Sequence, residues 1–143
     1  MKKTMFLNKA SAELLSLTLV LPFLTLAFSF VLAMYQYSTT IQELDFATYR
    51  ACRSAVVCEN YNDAMKQATN SASEILKNDA KYNVKIEQVV YNTKNKTYTT
   101  KSNIEWLKGN YIKVTVTEYV DTISPFISGN KSRTIIMMIE RPA

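Results

Sequence analysis

Residues 14–35 read LLSLTLVLPFLTLAFSFVLAMY, 22 positions without a charged side chain. As a helix rising about 1.5 Å per residue, this run reaches roughly 33 Å, enough for a hydrocarbon layer about 30 Å thick. It is therefore expected to cross a membrane once. The other 108 residues after it, 36–143, are ordinary in polarity. That division excludes a multi-pass membrane protein, a large enzyme and a collagen-like chain. The chain has no histidine, which removes His-ligated metal sites and imidazole acid/base chemistry. A secretory signal is the alternative reading of the apolar run. Signal cores run about 7–15 residues, shorter than this one, but Val31-Leu32-Ala33 offers a small-residue cleavage context.

The flanks assign a direction. Lys2, Lys3 and Lys9 precede the run, and no Lys or Arg follows it before Arg50. Cytoplasmic flanks hold the excess of basic residues, so the N-terminus is expected inside and the C-terminal part outside the membrane. Tyr35 and Tyr37 stand where an interfacial aromatic belt belongs.

The helical pattern continues past the apolar run. Ile41, Leu44, Thr48, Ala51, Cys52 and Ala55 recur at spacings that put them on one helical face. No glycine occurs before Gly109, and Pro22 is the only proline before Pro125. One long helix is expected from about Glu13 to Val57, with Pro22 removing a backbone donor and bending it. A second, amphipathic helix is expected over 60–80, with Tyr61, Ala64, Met65, Ala68, Ala72, Ile75 and Leu76 on one stripe. Asn60 suits its N-cap, and Asp63 favours its first turn.

From Tyr82 the composition turns to strands. YNVKIEQVVYN and TYTT flank a turn cluster at Asn92–Lys96, and YIKVTVTEYV alternates Ile112, Val114 and Val116 against polar neighbours. RTIIMMIE closes the series after a loop marked by Ser124-Pro125 and Gly129-Asn130. Short strands joined in succession suggest an antiparallel meander. The fold class expected is α+β. Its segments are a basic leader at 1–13, a transmembrane helix at 14–35, an extracytoplasmic stalk helix at 36–58, an amphipathic helix at 60–80 and a β-rich region at 81–143.

The formal charge of +5 suggests nucleic acid until it is divided. The three leader lysines and Glu13 account for +2, and the rest holds 14 basic against 11 acidic residues without a block of like charge. A solvated surface is the expected reading, with no nucleic-acid partner.

A basic leader, small residues with a glutamate ahead of an apolar helix, a stalk and a β-rich end resemble type IV pilin-like proteins. Within them the chain is similar to the TadE/TadG-like family of pseudopilins of tight-adherence (Flp-type) pilus systems. The residues that carry the likeness are Ala10-Ser11-Ala12-Glu13-Leu14-Leu15, Leu19-Val20-Leu21-Pro22 and the stalk Asp45 to Ala55. Gly109, Tyr111 to Val116, Tyr119, Pro125 and the ending Glu140-Arg141 extend it through the C-terminal region. The resemblance implies leader processing near Asn8, Lys9 and Ala10. Counting back from Glu13 puts Asn8 where the family carries glycine or alanine, and Ala10 is the nearest small residue. It implies an assembly role for Glu13, whose carboxylate would pair with a neighbouring subunit's terminal amine. It further implies other pilin subunits, membrane assembly proteins and the lipid bilayer as partners, and a place in a surface pilus, a secretion pseudopilus or a conjugation apparatus serving cell adhesion or transfer. The alternative for Glu13 is an interfacial residue on a plain anchor.

Cys52 and Cys58 fall on the extracytoplasmic side, where a disulfide persists. Six residues along a straight helix separate Cα atoms by about 9 Å of rise, beyond the roughly 7 Å a bridge tolerates. A bond needs the helix to break near Ala55 to Val57; two free thiols are the alternative. Two cysteines alone are too few for a metal site. No phosphate loop or nucleophile elbow is present, and Glu105, Glu118 and Asp121 give no sign of converging. No enzyme activity and no cofactor are expected. Two functions remain: a minor pilin or pseudopilin that assembles through its N-terminal helix, and a membrane-anchored or secreted binding module acting alone.

Overall fold

The computed structural model describes residues 2–76, 81–101, 103–122 and 128–140, with side chains from Leu14 onward. The fold is α+β: one long helix, a short second helix and a curled antiparallel sheet of four strands. Helix α1 runs Lys2–Val56, 55 residues. Pro22 lies inside it without ending it. The missing N–H at Pro22 leaves the Thr18 carbonyl without its usual donor. Hydroxyls on this stretch turn back onto the helix: Thr18 Oγ1 donates to the Leu14 carbonyl at 2.7 Å and Thr25 Oγ1 to the Pro22 carbonyl at 2.8 Å.

Leu44, Ala47, Thr48, Ala51, Cys52, Ala55 and Val56 are fully buried on the second half of α1. Their steps of three and four place them on one face, which is the face turned to the sheet and to α2. Thr48 is tolerated there because its hydroxyl donates to the Leu44 carbonyl at 2.7 Å. Helix α2 spans Tyr61–Ser73. Asn60 caps it as expected, its side chain accepting from the Asp63 N–H at 2.9 Å. Ala64, Ala68 and Ala72 are fully buried at steps of four, which lets the two helices approach closely. The helix is shorter than the expected 60–80, passing into turns through Leu76; residues 77–80 lie outside the described residues. Ser73 Oγ donates to the Asn70 carbonyl at 2.7 Å, a local bond of the kind that competes with helix continuation.

The strands are β1 Tyr82–Asn92, β2 Thr97–Thr100, β3 Tyr111–Val120 and β4 Gly129–Met138. All pairings are antiparallel, in the order β2-β1-β3-β4. This corrects the expected meander: after the β1–β2 hairpin, the chain crosses the end of β1 and adds β3 on its other side. Burial decides the order. Strand β2 is exposed at every residue, so it can only be an edge. Strand β3 buries Ile112, Val114, Val116 and Val120 in alternation and belongs in the middle. The connection is held by named bonds. Gln88 is almost fully buried, and its Oε1 accepts from the Glu105 N–H at 2.6 Å. Trp106 Nε1 donates to the Cys58 carbonyl at 2.9 Å, and its ring meets Tyr61 edge-on at 6.1 Å. Gly109, at φ +89°, supplies the turn into β3.

Strand β4 begins earlier than the expected Arg133, since Val120 already pairs with Gly129, and it ends at Met138. There the chain leaves the ladder: the Glu140 N–H donates to the Val56 carbonyl at 2.9 Å, satisfying one of the last carbonyls of α1. Arg53 and Glu140 pair beside it.

Candidate functional site

The first half of α1 is long and apolar enough to cross a membrane and is almost wholly uncovered. Leu14 through Leu32 present leucine, valine and phenylalanine outward on every side of the helix. A helix apolar all round is matched to lipid or to other helices. This is compatible with a single-pass anchor. The backbones of Asn8, Lys9, Ala10 and Glu13 lie within α1; their side chains lie outside the described residues.

Beyond Tyr35 the outward face changes but does not become purely polar. Phe46, Tyr49 and Val57 are 55%, 50% and 41% exposed and share a shallow groove with Arg50, Arg53 and Ser54. The two arginines are neutralised, Arg50 by Glu74 at 3.5 Å and Arg53 by Glu140. Exposed apolar side chains thus recur on the far side of the stalk, opposite the buried face, with paired arginines between them.

The two cysteines are free thiols, which corrects the disulfide expectation. Helix α1 reaches Val56, and the Cys58 N–H then donates to the Ala55 carbonyl at 3.1 Å, so the chain keeps turning instead of breaking between the cysteines. Cys52 is buried against β4, and burial pushes its thiol up to about 12. Cys58 is half-buried, its Sγ 3.2 Å from the Ser54 carbonyl, and burial with the nearby Asp63 charge raises it as well. Both remain protonated at neutral pH and are poor nucleophiles. Among the described residues no group of three or more His, Cys, Asp or Glu could hold a metal ion.

Two carboxylates, Glu43 and Asp121, share a cleft at the end of the sheet nearest the apolar segment. The cleft is lined by Tyr35, Gln36, Thr39, Thr40, Glu43 and Asp121. Glu118, near Glu43, is 7% exposed, with Oε2 buried and without a hydrogen-bond partner among the described residues. Its neighbours in register are Tyr82 of β1 and Lys131 of β4, and Glu43 approaches from α1. Lys131 makes no ion pair with it, its Nζ standing 5.5 Å over the Tyr37 ring. Glu105 belongs elsewhere, paired with Lys101 at 2.9 Å. One signal for this site was present in the strand alternation: 112, 114, 116, 118 and 120 point one way, and only 118 is charged. The approach of Glu43 from 75 residues away had no sequence signal.

Burial, and then the charge of Glu43, raise the Glu118 carboxyl above its ordinary 4.5. A carboxyl favoured in its protonated form by folding contributes stability below its unfolded pKa and loses it as pH rises through the folded value. Glu87 works in the opposite sense, because Lys113 at 2.8 Å and Lys85 at 2.7 Å hold it below the carboxylate range. Glu118→Gln is therefore expected to raise the thermal midpoint at pH 7 by several degrees and to leave it unchanged near pH 4. A midpoint at pH 7 equal to or below that of the parent would show that the ionised carboxylate costs the fold nothing.

Comparison with family models, with curated proteins and with solved structures returned no match.

Proposed function

We propose that the protein is a minor pilin or pseudopilin-like structural subunit that assembles through its N-terminal helix, within a tight-adherence-type pilus or a related secretion or conjugation apparatus. The observation that carries this reading is the exposure of Phe46 and Tyr49 on the outer face of α1, with Val57 exposed just past its end. A lone anchor needs apolar side chains only inside the bilayer. A helix that packs on other helices along its whole length needs them in the aqueous half too, and exposed aromatic groups at helical spacing meet that need. The order of basic leader, Glu13, apolar helix and sheet-covered stalk supports the same reading through its resemblance to TadE/TadG-like pseudopilins. The N-terminus then faces the cytoplasm and the α2–sheet domain lies outside. Partners are other pilin-like subunits and the proteins that extract them from the bilayer.

The test is biochemical. A C-terminal epitope is expected on the outside of intact cells, and part of the protein is expected in the filament fraction released by shear. Outer exposure without any sheared or crosslinked assembly would favour the single-pass binding module acting alone.

A further inference from the structure

The inward face of the β3–β4 ladder carries three charges, and they are not treated alike. In an antiparallel pair, residues directly opposite each other share a face, with Cβ atoms about 5 Å apart. Glu118 of β3 is opposite Lys131 of β4, and Val116 is opposite Arg133. Both cations turn to α1. Arg133 Nε meets Asp45 on that helix at 2.6 Å. Lys131 Nζ stands 5.5 Å from the centroid of the Tyr37 ring, where α1 leaves its apolar run. Glu118, directly across the ladder from Lys131, is almost fully buried, and its Oε2 has no hydrogen-bond partner among the described residues.

This distribution suits a protonated acid. A neutral carboxyl tolerates burial without a donor far better than a carboxylate does. A lysine beside a neutral acid gains little from it and can cover an aromatic ring instead. Ionisation reverses the comparison. A charge-assisted hydrogen bond to a buried carboxylate with no other donor outweighs a cation resting over a half-buried ring. Four methylenes let Lys131 reach either group by turning its own side chain, with the backbone ladder unchanged.

We infer that Lys131 is a latch with two seats, lying over Tyr37 while Glu118 is protonated and pairing with Glu118 once it is ionised. The proton passes to solvent, and Lys131 keeps its own charge in both states. What changes is the tie between sheet and helix. Over Tyr37, Lys131 fastens the start of β4 to α1 at the point where the helix leaves the apolar run. On Glu118, it ties β4 to β3 and uncovers the Tyr37 ring. The surrounding groups set the pH at which the latch moves. Burial raises the Glu118 carboxyl above its ordinary 4.5, and the Glu43 charge on α1 adds to this. Tyr82 is the cross-strand neighbour on β1 and carries no charge at neutral pH. Arg133 is held by Asp45, and Asp121 is exposed past the end of β3, so Lys131 is the cation placed to answer Glu118. The latch does not depend on whether the apolar half of α1 packs on lipid or on other helices, so it goes beyond the assembly reading.

Nuclear magnetic resonance of the full-length protein in lipid nanodiscs tests it. The Tyr37 ring current should shield the Lys131 ε-methylene at low pH. That shielding should vanish with the same midpoint as the Glu118 carboxyl carbon, above 4.5. Glu118→Gln should keep the shielding through neutral pH. Lys131→Met should raise the Glu118 midpoint by at least about half a pH unit, about threefold in proton affinity, because the ionised acid loses its partner. Tyr37→Leu should lower the midpoint, because the competing seat is gone. Glu43→Gln should lower it too but leave shielding and ionisation coupled, which separates plain repulsion from the latch. Shielding that persists through the Glu118 titration would overturn the inference. So would its loss at neutral pH in Glu118→Gln, or a Glu118 midpoint unmoved by Lys131→Met.

Discussion

On the proposed assembly, Glu13→Leu is expected to leave the protein abundant in the membrane fraction and to remove it from sheared filaments and from crosslinked complexes with other subunits. This is the largest effect expected of a single change. In an isolated anchor, a carboxylate at the head of an apolar helix contributes little, and replacing it with leucine eases insertion. In the proposed bundle of helices, the same carboxylate would neutralise a neighbouring terminal amine. Its loss leaves that amine buried and unpaired, at a cost of about 3–5 kcal/mol. A factor of ten in affinity corresponds to about 1.4 kcal/mol, so incorporation falls by at least about a hundredfold. Membrane content and shear fraction are measured on the same cells, which separates failure to assemble from failure to insert. Co-assembly of Glu13→Leu at the level of the parent would overturn the mechanism and favour the lone anchor.

Ile112→Ala is expected to destabilise the folded domain by about 2–5 kcal/mol, the range for truncating a fully buried aliphatic side chain. Ile112 is fully buried on β3, in the cluster that joins the sheet to the buried face of α1. Small domains have only about 5–15 kcal/mol in total, so the thermal midpoint should fall on the order of 10 °C or more. The helix in detergent keeps its own helicity, which would hide this loss from far-ultraviolet dichroism. Trp106, the single tryptophan, sits in the connection that packs on α2 and reports the domain by fluorescence. Thr99→Ala on the exposed strand β2 is the control, expected to lie within about 0.5 kcal/mol of the parent. Equal midpoints for the two variants would mean that the sheet does not depend on this cluster.

Periodicity made most elements legible in the sequence. The long helix, the Asn60 cap and the limits of β1, β2 and β3 follow from residue spacing, turn residues and the near absence of glycine. These are local properties, decided by what each residue does to its own backbone and to neighbours within a turn or two. The assembly role of Glu13 rests on resemblance and stays a proposal, since its side chain lies outside the described residues.

The amino-acid sequence by itself determined that an uncharged helix would lead into a capped second helix and a run of strands, because helical and strand periods are set over a few residues. Tertiary structure alone decided the order β2-β1-β3-β4, the two free thiols and the meeting of Glu43 with Glu118 and Asp121. Each of these depends on groups brought together from distant parts of the chain. Strand order follows from which strand can be buried on the stalk, and thiol pairing from where α1 stops. The charge of Glu118 becomes costly only when the sheet curls onto α1 and removes its water.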